Sequence, residues 1–197
     1  MSCIPKILDL KGNKEYLSVP SKKNSNDCIG VVIEDGGHYK GFDFLVTFND
    51  MGFRCGYVAL PLSHVANNHK KDYPDYDVHG GITFYDKNHF SKLFFGEDAC
   101  KDKWLGFDCG HAGDFCDLEK AKEYFKDNKN IFRGIIEVQK IKQEVAADME
   151  RNYPGYLNRK NSPDYEWREY PRTKEYVINE CKSLIDQLIE KISCTSA

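Results

Sequence analysis

The order in which two kinds of hydrophobic pattern appear constrains this chain's fold more than any other feature: strand-like runs come first and helical stripes come late. Residues 29–33, 42–48 and 53–60 are rich in β-branched and aromatic side chains. Glu34-Asp35-Gly36-Gly37-His38 separates the first two runs, and Asn49-Asp50-Met51-Gly52 separates the second from the third. Asp-Gly and Gly-Gly steps signal hairpin turns because they accept positive φ. Three short strands on short turns predict an antiparallel sheet. His79-Gly80-Gly81-Ile82-Thr83-Phe84-Tyr85 predicts a further strand entered through two glycines. The poor polar/apolar alternation of 104–109 predicts a strand inside the sheet.

Helical spacing begins only after Asp114. Asp117 is the expected N-cap of a helix near 118–127, with Leu118, Ala121, Tyr124 and Phe125 at helical steps. Residues 131–138 read as a short strand passing into a helix that ends near Arg151. Thr173 caps a last helix near 173–192, in which Tyr176, Val177, Cys181, Leu184, Ile185, Leu188 and Ile192 form one apolar stripe. Strands and helices segregated in this order predict an α+β fold, an antiparallel sheet packed by late helices including an amphipathic C-terminal one. The 197 residues fit a single domain, 1–197, with 1–27 a polar leading segment.

Composition excludes several function classes. Aromatic residues make up 13% of the chain, too many for a disordered one. Twenty-eight basic residues against 31 acidic ones lack the basic excess of a duplex nucleic-acid binder. There is no apolar run of about 18 residues, and the start Met1-Ser2-Cys3-Ile4-Pro5-Lys6 lacks the form of a signal peptide. The expectation is a cytoplasmic protein with no membrane partner. The eight cysteines include no Cys-x-x-Cys pair. They read as reduced, mostly buried small side chains rather than disulfides or zinc ligands. No metal and no cofactor is expected. The sequence leaves room for a homo-oligomer.

Four groups of residues are candidates for chemistry. In Trp104-Leu105-Gly106-Phe107-Asp108-Cys109-Gly110-His111-Ala112-Gly113-Asp114, two carboxylates flank an imidazole at three-residue steps, with glycines that let the turn fold tightly. Asp108, His111 and Asp114 there are either an acid–base or ligand set or the caps of a turn and the next helix. His79-Gly80-Gly81, with Thr83, offers backbone N–H groups and donors to an anion, or serves simply as a loop entering a strand. Arg54, Cys55, Tyr57 and His64 have the composition of a thiol site, although Cys55 reads equally as core. His69 shares a polar loop with His64, where a solvated histidine is the simpler reading. Tyr153, Tyr156, Tyr165, Trp167 and Tyr170, interleaved with Arg159, Arg168 and Arg172, present rings and guanidinium forks of the kind that meet a nucleobase or phosphate, or a loop packed on the sheet. Strand ends gather on one edge of a sheet. His79, Thr83, Asp108 and His111 are therefore expected to line one pocket, with Arg54 or Arg172 at its rim.

Taken in order, Arg54-Cys55-Gly56-Tyr57-Val58, His64, Asp77-Val78-His79-Gly80-Gly81-Ile82-Thr83-Phe84, the 104–114 segment and Tyr170-Pro171-Arg172-Thr173 leading into Tyr176-Val177-Ile178-Asn179-Glu180-Cys181 resemble a family of small uncharacterised proteins common in bacteriophage and prophage genomes. The resemblance covers roughly residues 53–190. It departs from the family pattern after His64, where Val65-Ala66-Asn67-Asn68 stands in place of a proline and an aromatic. It implies a setting rather than a reaction: a phage counter-defence protein in the host cytosol, acting on a nucleotide immune signal. Three functions follow. One is a module that sequesters a small phosphorylated ligand, such as a cyclic nucleotide or an ADP-ribose type signal, using His79, Gly80, Gly81, Thr83, Asp108, His111, Arg54, Tyr57, Trp104 and Arg172. The second is a hydrolase built on Asp108, His111, His79 and Asp114. The third is a protein that blocks a host factor through a surface patch.

Overall fold

The computed structural model describes residues 19–20, 28–29, 31–60, 76–86, 103–111, 113–155 and 171–195. The short strands β1 (Val19–Pro20) and β2 (Cys28–Ile29) pair antiparallel. A five-stranded antiparallel sheet follows, made of β3 (Val31–Tyr39), β4 (Phe42–Asn49), β5 (Arg54–Leu60), β6 (Phe84–Asp86) and β7 (Lys103–Asp108) in the order β3-β4-β5-β7-β6. Among the described residues three helices come after the strands: α1 (Leu118–Phe125), α2 (Lys129–Asn152) and α3 (Lys174–Thr195). The chain is thus α+β, as the order of its hydrophobic patterns predicts. None of the described helices is long and apolar enough to cross a membrane.

The first hairpin turns later than its glycines suggest. Gly36 and Gly37 lie inside β3, just past a register shift between Ile33 and Asp35. The turn is Tyr39-Lys40-Gly41-Phe42, with φ of 47° at Lys40 and 91° at Gly41, the paired positive values that match the twist of the flanking strands. Packing holds Gly37 in the strand, because a Cβ there would lie 2.7 Å from the Phe44 ring. Residues 131–138, expected as a short strand before a helix, are helical from the outset. Asn128 caps α2, its side chain accepting from the Ile131 N–H at 3.2 Å. Ile131, Phe132, Ile135 and Val138 then fall on one face and pack with Phe48, Phe53 and Phe125. Burial of that face outweighs the β-branched character of Ile135-Ile136.

The main core lies between the sheet and α3. Val177, Cys181, Leu184, Ile185 and Leu188 are fully buried and pack in one cluster with Phe44, Val46, Val58, Leu60, Leu105 and Phe107. Gly56 permits this approach: a Cβ there would meet Phe107 Cζ at 2.4 Å and Cys181 Sγ at 2.8 Å. Strand alternation sends Leu45, Ala59 and Trp104 to the other face, where they too are buried. The central strands are therefore apolar on both sides, which explains the weak alternation of β7. Thr173 caps α3 through its hydroxyl, which accepts from the Tyr176 N–H at 3.1 Å. This seats the start of α3 beside the ends of β5 and β7, where the polar residues converge.

Candidate functional site

Among the described residues one dense polar cluster is built by three segments: the loop before β6, the turn after β7, and the entry to α3. Asp114 sits at its centre and is 1% exposed. Its Oδ2 accepts from His79 Nε2 at 2.7 Å and from the His111 backbone N–H at 3.1 Å, and its Oδ1 accepts from Arg172 Nε at 2.9 Å. Burial alone would raise the Asp114 pKa. The hydrogen bonds from His79 and then Arg172, with the charge of the Arg172 guanidinium, outweigh it and hold the carboxyl below its ordinary value. His79 Nδ1 lies 3.2 Å from Tyr176 Oη, and the His79 backbone N–H donates to Glu180 Oε2 at 2.8 Å. The Arg172 guanidinium stacks 4.8 Å over the Tyr176 ring.

His79 and His111 share this site, with ring centroids 5.2 Å apart. Gly80 makes the approach possible. It has φ of 64°, and a Cβ on it would fall 1.9 Å from His111 Cε1. His111 differs from its neighbours in being open: its side chain is 38% exposed, against 4% for His79 and 2% for Arg172. The Lys142 ammonium, reaching over from α2, donates to the Gly110 carbonyl at 3.0 Å and to the His111 carbonyl. Its pKa is lowered by burial, against the opposing pull of Asp114 and Cys116.

Across the 109–111 turn, on the sheet face away from α3, lies a second feature. A cleft of about 360 Å³ is lined by Asn49, Phe53, Cys55, Tyr57, Thr83, Phe84 and Asp108, among others. Tyr57 and Phe84 meet edge to face at 5.3 Å. Gly106 allows this, because a Cβ there would strike the Tyr57 ring at 2.5 Å. Asp108 Oδ1 accepts from the Gly110 N–H at 3.0 Å. Burial pushes the Cys55 thiol up to about 12 and the Tyr57 hydroxyl well above its usual range, so neither supplies an anionic nucleophile near neutral pH. Cys55, Cys109, Cys116 and Cys181 are all buried free thiols.

The expected single pocket is therefore two places. His79, Gly80, His111, Asp114 and Arg172 come together beside α3, while Tyr57, Thr83 and Asp108 line the cleft. Asp108 stands apart from the histidines because alternation along β7 turns it away from α3. Arg172 is not at a rim but 3% exposed inside the cluster. Gly81 has φ of 80° and no atom within 4 Å of where its Cβ would be, so it serves the turn. Trp104 is fully buried, out of a ligand's reach.

Arg54 has an interior role as well. It is 4% exposed and grips Glu34 through Nε at 2.6 Å and Nη2 at 3.0 Å. Its Nη1 donates to Asp117 at 2.8 Å and to the Arg172 carbonyl at 2.7 Å. His64, His69, Tyr156, Arg159, Tyr165, Trp167, Arg168 and Tyr170 lie outside the described residues. Tyr176, Glu180 and Lys142 join the site without standing among the residues the sequence singles out for it. Tyr176 and Glu180 are four apart on α3, so their shared face was available as a signal once His79 was suspected. Nothing in the sequence ties Lys142 to the 109–111 turn.

Comparison of the chain with protein-family models, with curated proteins and with solved structures finds no match.

Proposed function

We propose that the protein binds a small nucleotide-derived ligand in the cleft and holds it without cleaving it. The cleft itself carries this reading. Its volume falls in the range of small-molecule sites, and it combines aromatic walls with a few placed polar groups. Tyr57 and Phe84 offer ring faces and edges to a base, and Asp108 offers an acceptor to a ribose hydroxyl. The Lys142 ammonium lies 4.7 Å over the Phe53 ring that lines the cleft, bringing positive charge to a ligand carrying phosphate. Holding rather than cleaving is supported by the protonated Cys55 and by the separation of Asp108 from His79 and Asp114. In the phage setting that the resemblance implies, the ligand is a nucleotide immune signal, and the protein acts as a counter-defence factor.

The test is incubation with a panel of cyclic and ADP-ribose type nucleotides, then heat release and chromatography. One nucleotide should be depleted from solution and recovered intact, and Phe84→Ala should lose the depletion. Altered products would replace the reading with hydrolysis. No depletion of any nucleotide would remove it.

A further inference from the structure

We infer that His79, Asp114 and His111 form a binding site for one divalent transition-metal ion of the zinc class. The spacing of these residues along the chain announces no such site, and the inference does not rest on the cleft. One ligand atom from each lies within 4.8 Å of the others, and two of the three residues are buried. Asp114 Oδ2 is 2.7 Å from His79 Nε2 and 3.6 Å from His111 Nδ1. A tetrahedral ion with bonds of about 2.0–2.2 Å needs ligand atoms a little over 3 Å apart. The first pair opens and the second stays close to that spacing with shifts under about 1 Å, and the two imidazole nitrogens, within 4.8 Å of each other, close on the ion from either side of Asp114.

The unexplained atom here is His111 Nδ1. It is buried although its ring is partly exposed, and it makes no hydrogen bond. A buried polar atom without a partner calls for an explanation, and an ion shared with Asp114 supplies one. The surroundings are those that orient metal ligands. Arg172 holds Asp114 Oδ1, which leaves Oδ2 to point inward. Tyr176 Oη stands beside His79 Nδ1. When Nε2 takes the ion, its proton moves to Nδ1, and Tyr176 Oη accepts from there. Glu180 fixes the His79 backbone, and Lys142 fixes the His111 carbonyl. Two imidazoles and one carboxylate favour a borderline ion over magnesium or calcium, which take oxygen ligands. The fourth position falls to water, and His111 gives the route of entry.

Cobalt(II) is the probe, with zinc(II) in competition. The full chain, treated with chelator and dialysed, should take up one equivalent of cobalt with visible absorption of a four-coordinate site and no thiolate charge-transfer band. Zinc should displace the cobalt and raise the melting temperature. His111→Ala removes the most exposed ligand. It should keep the wild-type circular dichroism and melting temperature in chelator, yet lose cobalt uptake and the zinc-induced shift. Three results overturn the proposal: no uptake by the wild type, a thiolate band that places the ion on cysteine, or a His111→Ala variant that still binds one equivalent with the same spectrum. Nucleotide depletion by metal-free protein would be unaffected by any of them, so the two proposals fail separately.

Discussion

Two buried arginines organise the polar interior, and they do so differently. Arg54 closes its network completely around itself: Glu34 takes it with both oxygens, Asp117 and the Arg172 carbonyl take Nη1, and Tyr124 adds a hydroxyl to Glu34 at 3.0 Å. This joins β3, β5, α1 and the entry to α3. Arg172, whose carbonyl belongs to that first network, sends its side chain into the second. There one carboxylate is shared by Arg172 and two histidine segments, and the cluster opens to solvent at His111. The first cluster has the form of a structural clamp. The second has the same ingredients but ends in a partly exposed imidazole whose buried Nδ1 makes no hydrogen bond, the mark of a place that meets something else.

The sharpest way to break this contrast is to remove the clamp. Arg54→Ala leaves the Glu34 carboxylate buried at 2% side-chain exposure without its main partner. Breaking a buried pair in this way costs about 3–5 kcal/mol. Urea unfolding should show it, and replacing Arg54 and Glu34 together by methionine should recover much of the loss. A loss of about 0.5 kcal/mol or less for Arg54→Ala, the range of ordinary surface substitutions, would mean that the clamp is not structural.

The same ion pair shows how far the sequence could be read. Segregated strand and helix patterns fixed the fold class, and the stripe from Val177 to Leu188 located α3, because periodic burial leaves its trace in adjacent residues. The turn at Lys40-Gly41 was hidden by a stronger local signal, Gly36-Gly37, whose use is to admit the Phe44 ring across the sheet. The helix at 131–138 is hidden because Gly134, three isoleucines and Val138 favour it poorly on their own. The site was legible in half. His79, His111 and Asp114 converge as the glycine-bounded turns suggested, at a ring separation of 5.2 Å. Residue types suggest a rim for Arg54 because nothing local reveals that its partner is Glu34, two strands away. Residue types group Asp108 with the histidines, and its face is set instead by its pairing with Cys55 across β5 and β7.

Removing the second arginine should cost less than removing the first. In Arg172→Ala, Asp114 keeps His79 and the His111 N–H, while its hydrogen bond from Arg172, worth about 1.5–3 kcal/mol as a charge-assisted bond, goes together with the stack on Tyr176. The Arg172 carbonyl that Arg54 uses remains. If Arg172→Ala proves as damaging as Arg54→Ala in the same urea titration, the two clusters act as one.

A smaller effect appears in acid. The Asp114 pKa in the folded protein lies below its unfolded value of 3.8, so its contribution to stability is complete above that value. It is lost as pH falls through the lower folded value, because protonation then favours the unfolded chain. The urea midpoint of the wild type should therefore approach that of Asp114→Asn as pH drops below about 4. A gap between the two that stays constant down to about pH 2 would show that this carboxylate is not held ionised by His79 and Arg172.

The smallest expected change is the most discriminating. His111 contributes its backbone N–H to Asp114 and its carbonyl to Lys142, and an alanine retains both. Its ring is partly exposed and lies against Gly80, which has no side chain, and edge to face with the His79 ring, which keeps Asp114 and Tyr176 when His111 is gone. His111→Ala should therefore shift stability by no more than about 0.5 kcal/mol, the range of ordinary surface substitutions. The buried Nδ1 leaves with the ring, which removes an unpaired polar atom and offsets part of the lost packing. The result separates the two clusters cleanly, since a clamp residue is costly to remove and a site residue is not. A loss comparable to that of Arg172→Ala, measured in chelator so that no ion contributes, would make His111 a member of the scaffold and erase the difference between the two arginine networks.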